Sequence, residues 1–177
     1  MKRVYPVEER CINCHLCEVA CIVSHSRTKT ALGAYQVEKL SFNWVRPHAL
    51  DPAVALAEGT PLPLNRCRVD VQGSVFISTS CRHCQEPDCV KACKNGSLYL
   101  DEVGRVLLRE DHCVGCWMCL MACRYGAIER NPYVKNVPGQ ESNGINHHCD
   151  LCRDRSHPAC VSICPTQALV YEERGSS

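Results

Sequence analysis

Four groups of four cysteines divide this sequence and constrain its fold more than any other feature. We call them runs one to four in chain order, and together they use sixteen of the seventeen cysteines. The members are Cys11, Cys14, Cys17 and Cys21 in run one, Cys81, Cys84, Cys89 and Cys93 in run two, Cys113, Cys116, Cys119 and Cys123 in run three, and Cys149, Cys152, Cys160 and Cys164 in run four. Runs one and three have the spacing C-x2-C-x2-C-x3-C, and runs two and four lengthen the middle gap.

This spacing is the one by which bacterial ferredoxins hold [4Fe-4S] clusters. Four thiolates must surround one compact inorganic core, and a C-x2-C-x2-C loop can wrap its backbone around such a core. The fourth cysteine points away, and in two-cluster ferredoxins it ligates the other cluster. We therefore predict four [4Fe-4S] clusters as cofactors, with the sixteen cysteines of the runs as iron ligands.

Two other uses of cysteine explain the pattern less well. A disulfide scaffold suits a short secreted chain, but residues 1–10 show no apolar signal segment and the number of cysteines is odd. A zinc site needs two well-separated C-x2-C pairs, for which the third and fourth cysteines of each run are surplus. A structural or regulatory zinc protein is kept as the alternative of a different class.

Exchange of the last cysteine between paired runs predicts which residues share a cluster. Runs two and three are joined by one hairpin and form one pair, so runs one and four must pair across the chain. We name each ligand set after the run that supplies three of its members. The sets are Cys11, Cys14, Cys17 and Cys164 (run-one set), Cys149, Cys152, Cys160 and Cys21 (run-four set), Cys81, Cys84, Cys89 and Cys123 (run-two set), and Cys113, Cys116, Cys119 and Cys93 (run-three set).

The pairing of runs predicts a loop-rich α+β fold of two bacterial-ferredoxin-like modules. Residues 1–42 and 145–177 form the outer module, residues 67–130 form the central module, and residues 43–66 and 131–144 are an insertion and a linking loop. Apolar patterning predicts hairpins around Gly73 and Gly104, first and last strands near residues 3–7 and 165–171, and a helix at 18–25. Residues 31–42 are predicted to be a strand or hairpin arm, and residues 131–147 a loop.

Composition limits the classes of partner. The net charge is +1 with scattered basic residues, so no nucleic-acid surface is expected. Two Phe and two Trp are a thin supply for an apolar core, and we expect the clusters to replace part of it. No stretch reaches the apolar length of a membrane span. Free thiolates for cluster assembly indicate a cytoplasmic location, with any membrane association through a partner.

The four runs, in this order and with these gaps, resemble the four-cluster electron-transfer subunits of anaerobic oxidoreductases. That family includes the iron–sulfur subunits of DMSO reductase, nitrate reductase, formate dehydrogenase and hydrogenase complexes, and it implies two modules with pseudo-twofold symmetry. Some members replace a run-three ligand, often by Trp. Here Cys116 is present beside Trp117, which implies four cubane clusters.

The resemblance also implies a function in electron transfer. Residues 9–21 look most like the ferredoxin-like protein that accompanies nickel carbon monoxide dehydrogenase. We therefore expect a relay between carbon monoxide dehydrogenase and a second acceptor protein, or else a subunit of a hydrogenase, formate dehydrogenase or other molybdenum oxidoreductase. Catalysis by the chain itself is not expected, because no nucleotide-binding loop and no spare ligand set are present. Cys67 lies outside the runs and is expected to be a buried small side chain.

Overall fold

The computed structural model describes residues 1–36, 66–131 and 145–174, apart from the side chains of residues 35, 36, 131 and 145. Most of the predicted insertion at 43–66 and of the loop at 131–144 lies outside these residues. The helices are α1 (Leu16–His25), α2 (Ala31–Gln36), α3 (Asp88–Ala92), α4 (Met118–Ala122) and α5 (Ala159–Ile163). The strands are β1 (Arg3–Pro6), β2 (Cys67–Gln72), β3 (Val75–Ser80), β4 (Leu98–Leu100), β5 (Val106–Leu108), β6 (Glu129–Asn131), β7 (Ile145–His147) and β8 (Leu169–Glu172).

The described strands form two-stranded antiparallel sheets, in agreement with the predicted mixture of short helices and strands. The predicted hairpins are present as β2–β3 and β4–β5, whose turns contain Gly73 and Gly104 with φ of 61° and 84°. Positive φ is readily adopted by glycine, which suits it to such turns. Strand β1 pairs with β8, with Val4 opposite Tyr171, so the first and last strands join the two ends of the chain.

The helices pair in the same way as the runs that contain them. Helix α1 of run one contacts α5 of run four, and α3 of run two contacts α4 of run three. Helix α1 has ten residues, whereas α3, α4 and α5 have five each. Among the described residues, no helix is both long and apolar enough to cross a membrane.

The described residues form three groups of buried side chains, and the two larger groups contain cysteines. The first comprises Val4, Cys17, Cys21, Cys67, Val69, Leu151, Cys160 and Leu169. The second comprises Cys81, Leu98, Val106, Ala127 and Cys149. The hairpin β2–β3 supplies Cys67 and Val69 to the first group, which also contains residues of α1, β1 and β8, so this hairpin packs with those elements.

The prediction of a strand at 31–42 is wrong for residues 31–36, which form α2. Thr30 starts this helix: its Oγ1 accepts a hydrogen bond from Gly33 N–H at 3.1 Å, and its carbonyl accepts one from Ala34 N–H at 2.8 Å. Such a hydroxyl at the N-terminus satisfies donors that have no partner within the helix. Ala34 is fully buried beside Ile22 of α1, and this packing favours the helix.

The predicted loop at 131–147 contains a strand at its end. Residues 145–147 form β7, which pairs antiparallel with β6 and places Asn146 opposite Arg130. The Asn146 side chain is buried, with 2% of its surface exposed. The polar composition of this segment predicts a loop. Its partner strand β6 lies before residues 132–144, so no neighbouring residues indicate that residues 145–147 pair with a strand.

Candidate iron–sulfur centres

The first two cysteines of each run flank a turn with one shared backbone conformation. The residue before the second cysteine has a φ of 56° at Asn13, 46° at His83, 65° at Gly115 and 59° at Leu151. Positive φ is uncommon outside glycine and persists where the surrounding structure fixes it. His83 and Leu151 also donate their N–H groups to Cys81 Sγ and Cys149 Sγ at 3.4 and 3.3 Å. Four different residue types therefore adopt a similar positive φ at the same position of this turn.

The last cysteines of runs two, three and four share a second geometry. Each directly follows the end of its short helix, and the residue three positions later has a positive φ: 63° at Gly96, 58° at Gly126 and 52° at Gln167. Backbone N–H groups then donate to the thiol sulfur, from Leu98 to Cys93 (3.4 Å), Ala127 to Cys123 (3.4 Å) and Ala168 to Cys164 (3.2 Å). N–H···S hydrogen bonds of this kind tune cluster potentials.

Run one departs from this pattern because its helix continues past the last cysteine. Cys21 lies inside α1, so no turn follows it directly. Its sulfur accepts the N–H of Arg66 at 3.3 Å instead, from a residue 45 positions away. The donor that is local in the other runs is therefore supplied here by tertiary structure.

All members of the run-three set meet at one cavity. This concave space is lined by Cys93, Cys113, Cys116 and Cys119, together with the buried side chain of Asn146. Asn146 Nδ2 donates to Cys119 Sγ at 3.1 Å. Four soft thiol ligands around a partly enclosed space fit an iron–sulfur cluster.

The members of the run-two set also lie together. Burial raises the pKa of the Cys81 thiol to about 12, and the neighbouring thiols of Cys89, Cys123 and Cys84 act in the same direction. Burial and the proximity of Cys123 likewise raise the pKa of Cys89 to about 11. A bare thiolate is costly in such a place, and bound metal removes this cost by holding the thiol deprotonated. The donor set therefore fits a metal cluster.

The thiols of the run-four set also lie close together, although Cys21 and Cys149 are 128 residues apart in the sequence. Burial raises the pKa of Cys149 well above its ordinary value, with Cys160 and Cys21 as neighbouring thiols. Burial also raises the pKa of Cys152, which again has Cys21 and Cys160 beside it. Ser24 of α1 donates its hydroxyl to Cys152 Sγ at 3.8 Å, a contact that spans those 128 residues.

Contacts between the two ends of the chain bring the members of the run-one set towards one another. Helix α1 carries Cys17 and contacts α5, which Cys164 directly follows, and Val7 N–H donates to the Ala168 carbonyl at 2.8 Å. Hydrogen bonding with Cys67 lowers the pKa of both the Cys17 and Cys21 thiols. The contacts do not test the assignment of all sixteen ligands, which stays a prediction.

The two paired modules meet through thiols as well. Cys81 of run two and Cys149 of run four belong to the same buried group, and their thiols interact electrostatically. By contrast, Cys14 and Cys116 are exposed. They are the second cysteines of runs one and three. The seventeen cysteines all lie within the described residues and form no disulfide bond there.

Two buried histidines, His83 of run two and His148 just before run four, form hydrogen bonds with the backbone of β5. Val106 N–H donates to His83 Nδ1 at 3.0 Å, and His148 Nε2 donates to the Val106 carbonyl at 3.1 Å. Burial lowers the pKa of His83 to about 3 and that of His148 to about 4. Both imidazoles are therefore neutral near pH 7 and join the turns of runs two and four to β5.

A third histidine forms an ion-paired group next to run four. His25 Nε2 lies 3.0 Å from Asp150 Oδ1, and Arg66 Nη1 lies 2.8 Å from Asp150 Oδ2. Burial opposes protonation of His25, but its hydrogen bonds with Asp150 and Cys21 raise its pKa to about 9. Sequence alone does not predict Arg66, Asp150 and Asn146 as contacts of the ligands, because only the fold brings them to the cysteines.

Comparison with known proteins places the chain in a family. A family model described as a 4Fe-4S dicluster domain matches residues 72–174, more than half of the chain. The chain belongs to this 4Fe-4S dicluster family. The matched range contains runs two, three and four. The presence of [4Fe-4S] clusters as cofactors, predicted from the cysteine spacing, is thereby confirmed.

Relatives of this dicluster protein extend the match to run one. An iron-sulfur protein of Rhodospirillum rubrum is 32% identical over 173 residues, which cover 94% of this chain and 79% of the relative. The electron transport protein HydN of Escherichia coli K12 is 30% identical over 174 residues, 93% of this chain and 84% of HydN. The B subunit of anaerobic dimethyl sulfoxide reductase from the same strain is 40% identical over 100 residues, which cover 54% of this chain and 44% of that subunit.

These relatives agree with the expected class of function. HydN is named for electron transport, and the R. rubrum relative is named as an iron–sulfur protein. The chain is accordingly an electron-transfer component of an oxidoreductase system and is not itself the catalytic enzyme, as predicted.

Proposed function

We propose that this chain holds four [4Fe-4S] clusters and relays electrons between a catalytic oxidoreductase and a second acceptor protein. The observation that carries the proposal is the cavity of the run-three set, where Cys93 of run two joins Cys113, Cys116 and Cys119. A ligand contributed by the neighbouring run is what exchange of the last cysteine requires. Clusters of this kind accept and release single electrons when bound.

The contacts between the ligand sets support a linear order within the proposed relay. Cys17 and Cys21 on α1 connect the run-one and run-four sets. The proximity of Cys149 to Cys81 connects the run-four and run-two sets, and the α3–α4 contact connects the run-two and run-three sets. The order one–four–two–three follows, with the exposed Cys14 and Cys116 in its two terminal sets.

In this proposal the chain divides into an outer and a central module with pseudo-twofold symmetry. The outer module, residues 1–42 and 145–177, holds the run-one and run-four sets. The central module, residues 67–130, holds the other two. The repeated turn geometries support the symmetry, because corresponding residues of different runs adopt the same positive φ.

The protein groups around the sulfurs set the potentials and exclude water. Backbone N–H groups donate to the sulfurs of Cys93, Cys123 and Cys164, and these donors stabilise the more negative, reduced state. Burial of Cys149 and Cys160 keeps the run-four set from solvent. The geometry therefore favours sets of different potential within one chain.

Carbon monoxide dehydrogenase is the catalytic partner that we propose first. The support is the sequence of residues 9–21, which resembles the ferredoxin-like partner of that enzyme. A reducing cytoplasm is the proposed location, since cluster assembly requires free thiolates.

A hydrogenase, formate dehydrogenase or another molybdenum oxidoreductase is the second candidate partner. The B subunit of anaerobic dimethyl sulfoxide reductase supports it, at 40% identity over 100 residues.

Metal analysis tests the cofactor count. Four cubane clusters require roughly sixteen iron atoms and sixteen acid-labile sulfide ions per anaerobically purified chain. About eight of each would contradict the count of four. A colourless protein with about two zinc ions and no sulfide would favour the zinc protein instead.

Reduction by the partner tests the relay. The oxidised protein is mixed anaerobically with a catalytic amount of carbon monoxide dehydrogenase, CO is added, and the visible cluster absorbance is followed. Rapid bleaching is the expected result. If CO has no effect but dithionite bleaches the colour, this partner is wrong, and hydrogenase with H2 and formate dehydrogenase with formate are tried in turn.

A further inference from the structure

The seventeenth cysteine lies among the ligands of the runs. Cys67 begins β2, and 3% of its surface is exposed. Its side chain packs in one buried group with those of Cys160, Cys17 and Cys21, which are close enough to act on the Cys67 thiol. Its Sγ also donates to the Cys17 carbonyl at 3.4 Å. The fold therefore places this thiol against three ligands that are distant in sequence.

These three neighbours come from two different ligand sets. Cys17 belongs to the run-one set, and Cys21 and Cys160 belong to the run-four set. Cys67 thus lies at the junction of two sets that are adjacent in the proposed order. This step rests on the proposed function, because the sets are those assigned there.

The chemistry of the junction requires a neutral thiol at Cys67. Metal-bound thiolates accept hydrogen bonds and have none to donate, whereas a thiol donates through S–H. A further thiolate in this buried place would add negative charge beside ligands that are themselves anionic. Both sets also have four cysteines each without Cys67, so it is not needed as a ligand.

We propose that Cys67 is a positioning residue for electron transfer, which shares its S–H as a hydrogen-bond donor between the ligand thiolates of the run-one and run-four sets. One proton serves one acceptor at a time, so the sulfurs of Cys17, Cys21 and Cys160 compete for it with the Cys17 carbonyl. Hydrogen bonds to cluster sulfurs stabilise the reduced state and raise the reduction potential. Cys67 therefore holds the potentials of these two sets above the values that they have without it.

Three substitutions separate this hydrogen bond from packing. Cys67→Val keeps a similar volume and suits a strand but has no donor. Cys67→Ser keeps a donor in a smaller side chain. Val69→Ala is the matched control, because Val69 lies two residues further along β2 in the same buried group and its truncation loosens the packing without removing a donor.

The experiment is an EPR-monitored redox titration of the full chain with all clusters assembled, after iron and sulfide have been counted. We expect Cys67→Val to keep the wild-type iron content and to shift two of the midpoint potentials to more negative values. Cys67→Ser should restore them at least in part, and Val69→Ala should leave them in place. Pulsed EPR in D2O should detect an exchangeable deuteron in wild type that Cys67→Val lacks.

Three results would overturn the inference. Loss of iron in both Cys67→Val and Cys67→Ser would make Cys67 a ligand, and unchanged potentials would make it a packing residue. Equal shifts in Val69→Ala and Cys67→Val would attribute the effect to packing. Failure of the proposed function is distinguished at the first step, since wild-type protein would then lack the iron of four clusters.

Discussion

At the scale of single residues, most of the short hydrogen bonds to cysteine sulfur come from the backbone. The donors to Cys93, Cys123 and Cys164 are main-chain N–H groups, which a side-chain substitution does not remove. Asn146 is different, because its side-chain amide donates to Cys119 Sγ at 3.1 Å from a buried position. It therefore offers a way to change the surroundings of one ligand set without changing a ligand.

The first prediction concerns this amide. Asn146→Ala should lower the midpoint potential of the run-three set and leave the other sets unchanged, because one donor to a ligand sulfur is lost. The lost hydrogen bond to Cys119 should also cost about 1 kcal/mol of stability. Redox titration followed by EPR measures the first effect, and thermal melting measures the second.

Asn95→Ala is the control for that experiment. Asn95 lines the same cavity, and among the described contacts its side chain donates to no cysteine. The midpoint potentials of the Asn95→Ala variant should match those of the wild type. An unchanged run-three potential in Asn146→Ala would show that the amide does not tune this set.

At the scale of elements, each five-residue helix connects two ligand sets. Helix α3 contains Cys89 of the run-two set and is followed by Cys93 of the run-three set, and α4 carries Cys119 and precedes Cys123. Helices this short are not stable in isolation. We infer that ligation at both ends of α3 and α4 stabilises these helices and their mutual contact.

The second prediction tests the exchange of the last cysteine. Cys93→Ser should remove or convert the cluster of run three, while the cluster held by Cys81, Cys84 and Cys89 survives. The reciprocal variant, Cys123→Ser, should damage the cluster of run two. EPR of the reduced proteins distinguishes the two outcomes, and loss confined to the signals of run two in Cys93→Ser would contradict the assignment.

The third prediction concerns an arginine that joins β2 to β6 and to the turn after run three. Arg68 pairs with Asp70 at 3.0 Å on its own strand, and it reaches the Gly126 carbonyl at 3.0 Å and the Glu129 carboxylate of β6. About a third of the side chain is exposed (34%), so solvent screens these ion pairs. Arg68→Ala should therefore cost about 1 kcal/mol, or about 2–4 °C in apparent Tm.

Arg124→Ala is the matched control for that melting experiment. Arg124 pairs with Asp88 at 2.6 Å, but both side chains are exposed. Its removal should leave the apparent Tm unchanged, since exposed ion pairs contribute little. Equal melting of the Arg68 and Arg124 variants would show that the bridge to Gly126 and Glu129 adds no stability.

At the scale of the whole molecule, cysteines occupy places that apolar side chains fill in other small proteins. The two larger buried groups include Cys17, Cys21, Cys67 and Cys160 in one case and Cys81 and Cys149 in the other. Thiols contribute less apolar surface than Leu, Ile or Phe, so burial alone gives this fold a modest driving force. Metal ligation must then supply part of the free energy of folding.

The fourth prediction is that removal of iron unfolds the protein. Anaerobic chelation should cause the far-UV circular dichroism signal of helices and strands to fall together with the visible absorbance, because folding and ligation are coupled. Adding iron and sulfide back under reducing conditions should recover both signals. A stable, structured protein after complete loss of iron would contradict the coupling.

The sequence by itself determined the chemistry and the local structure of this protein. Thiol spacing and apolar patterning are local properties. The four runs and the cluster type follow from the first, and the hairpins at Gly73 and Gly104 and the strands β1 and β8 follow from the second. Only the tertiary structure placed the Arg66 N–H on Cys21, Asn146 on Cys119, and Cys67 between two ligand sets. The hydrogen bonds among these contacts join residues 27 to 50 positions apart, and packing of the hairpin β2–β3 and of β7 creates them. No pattern of neighbouring residues encodes such distances, and for the same physical reason the packing of Ala34 against α1 overrode the strand predicted for residues 31–36.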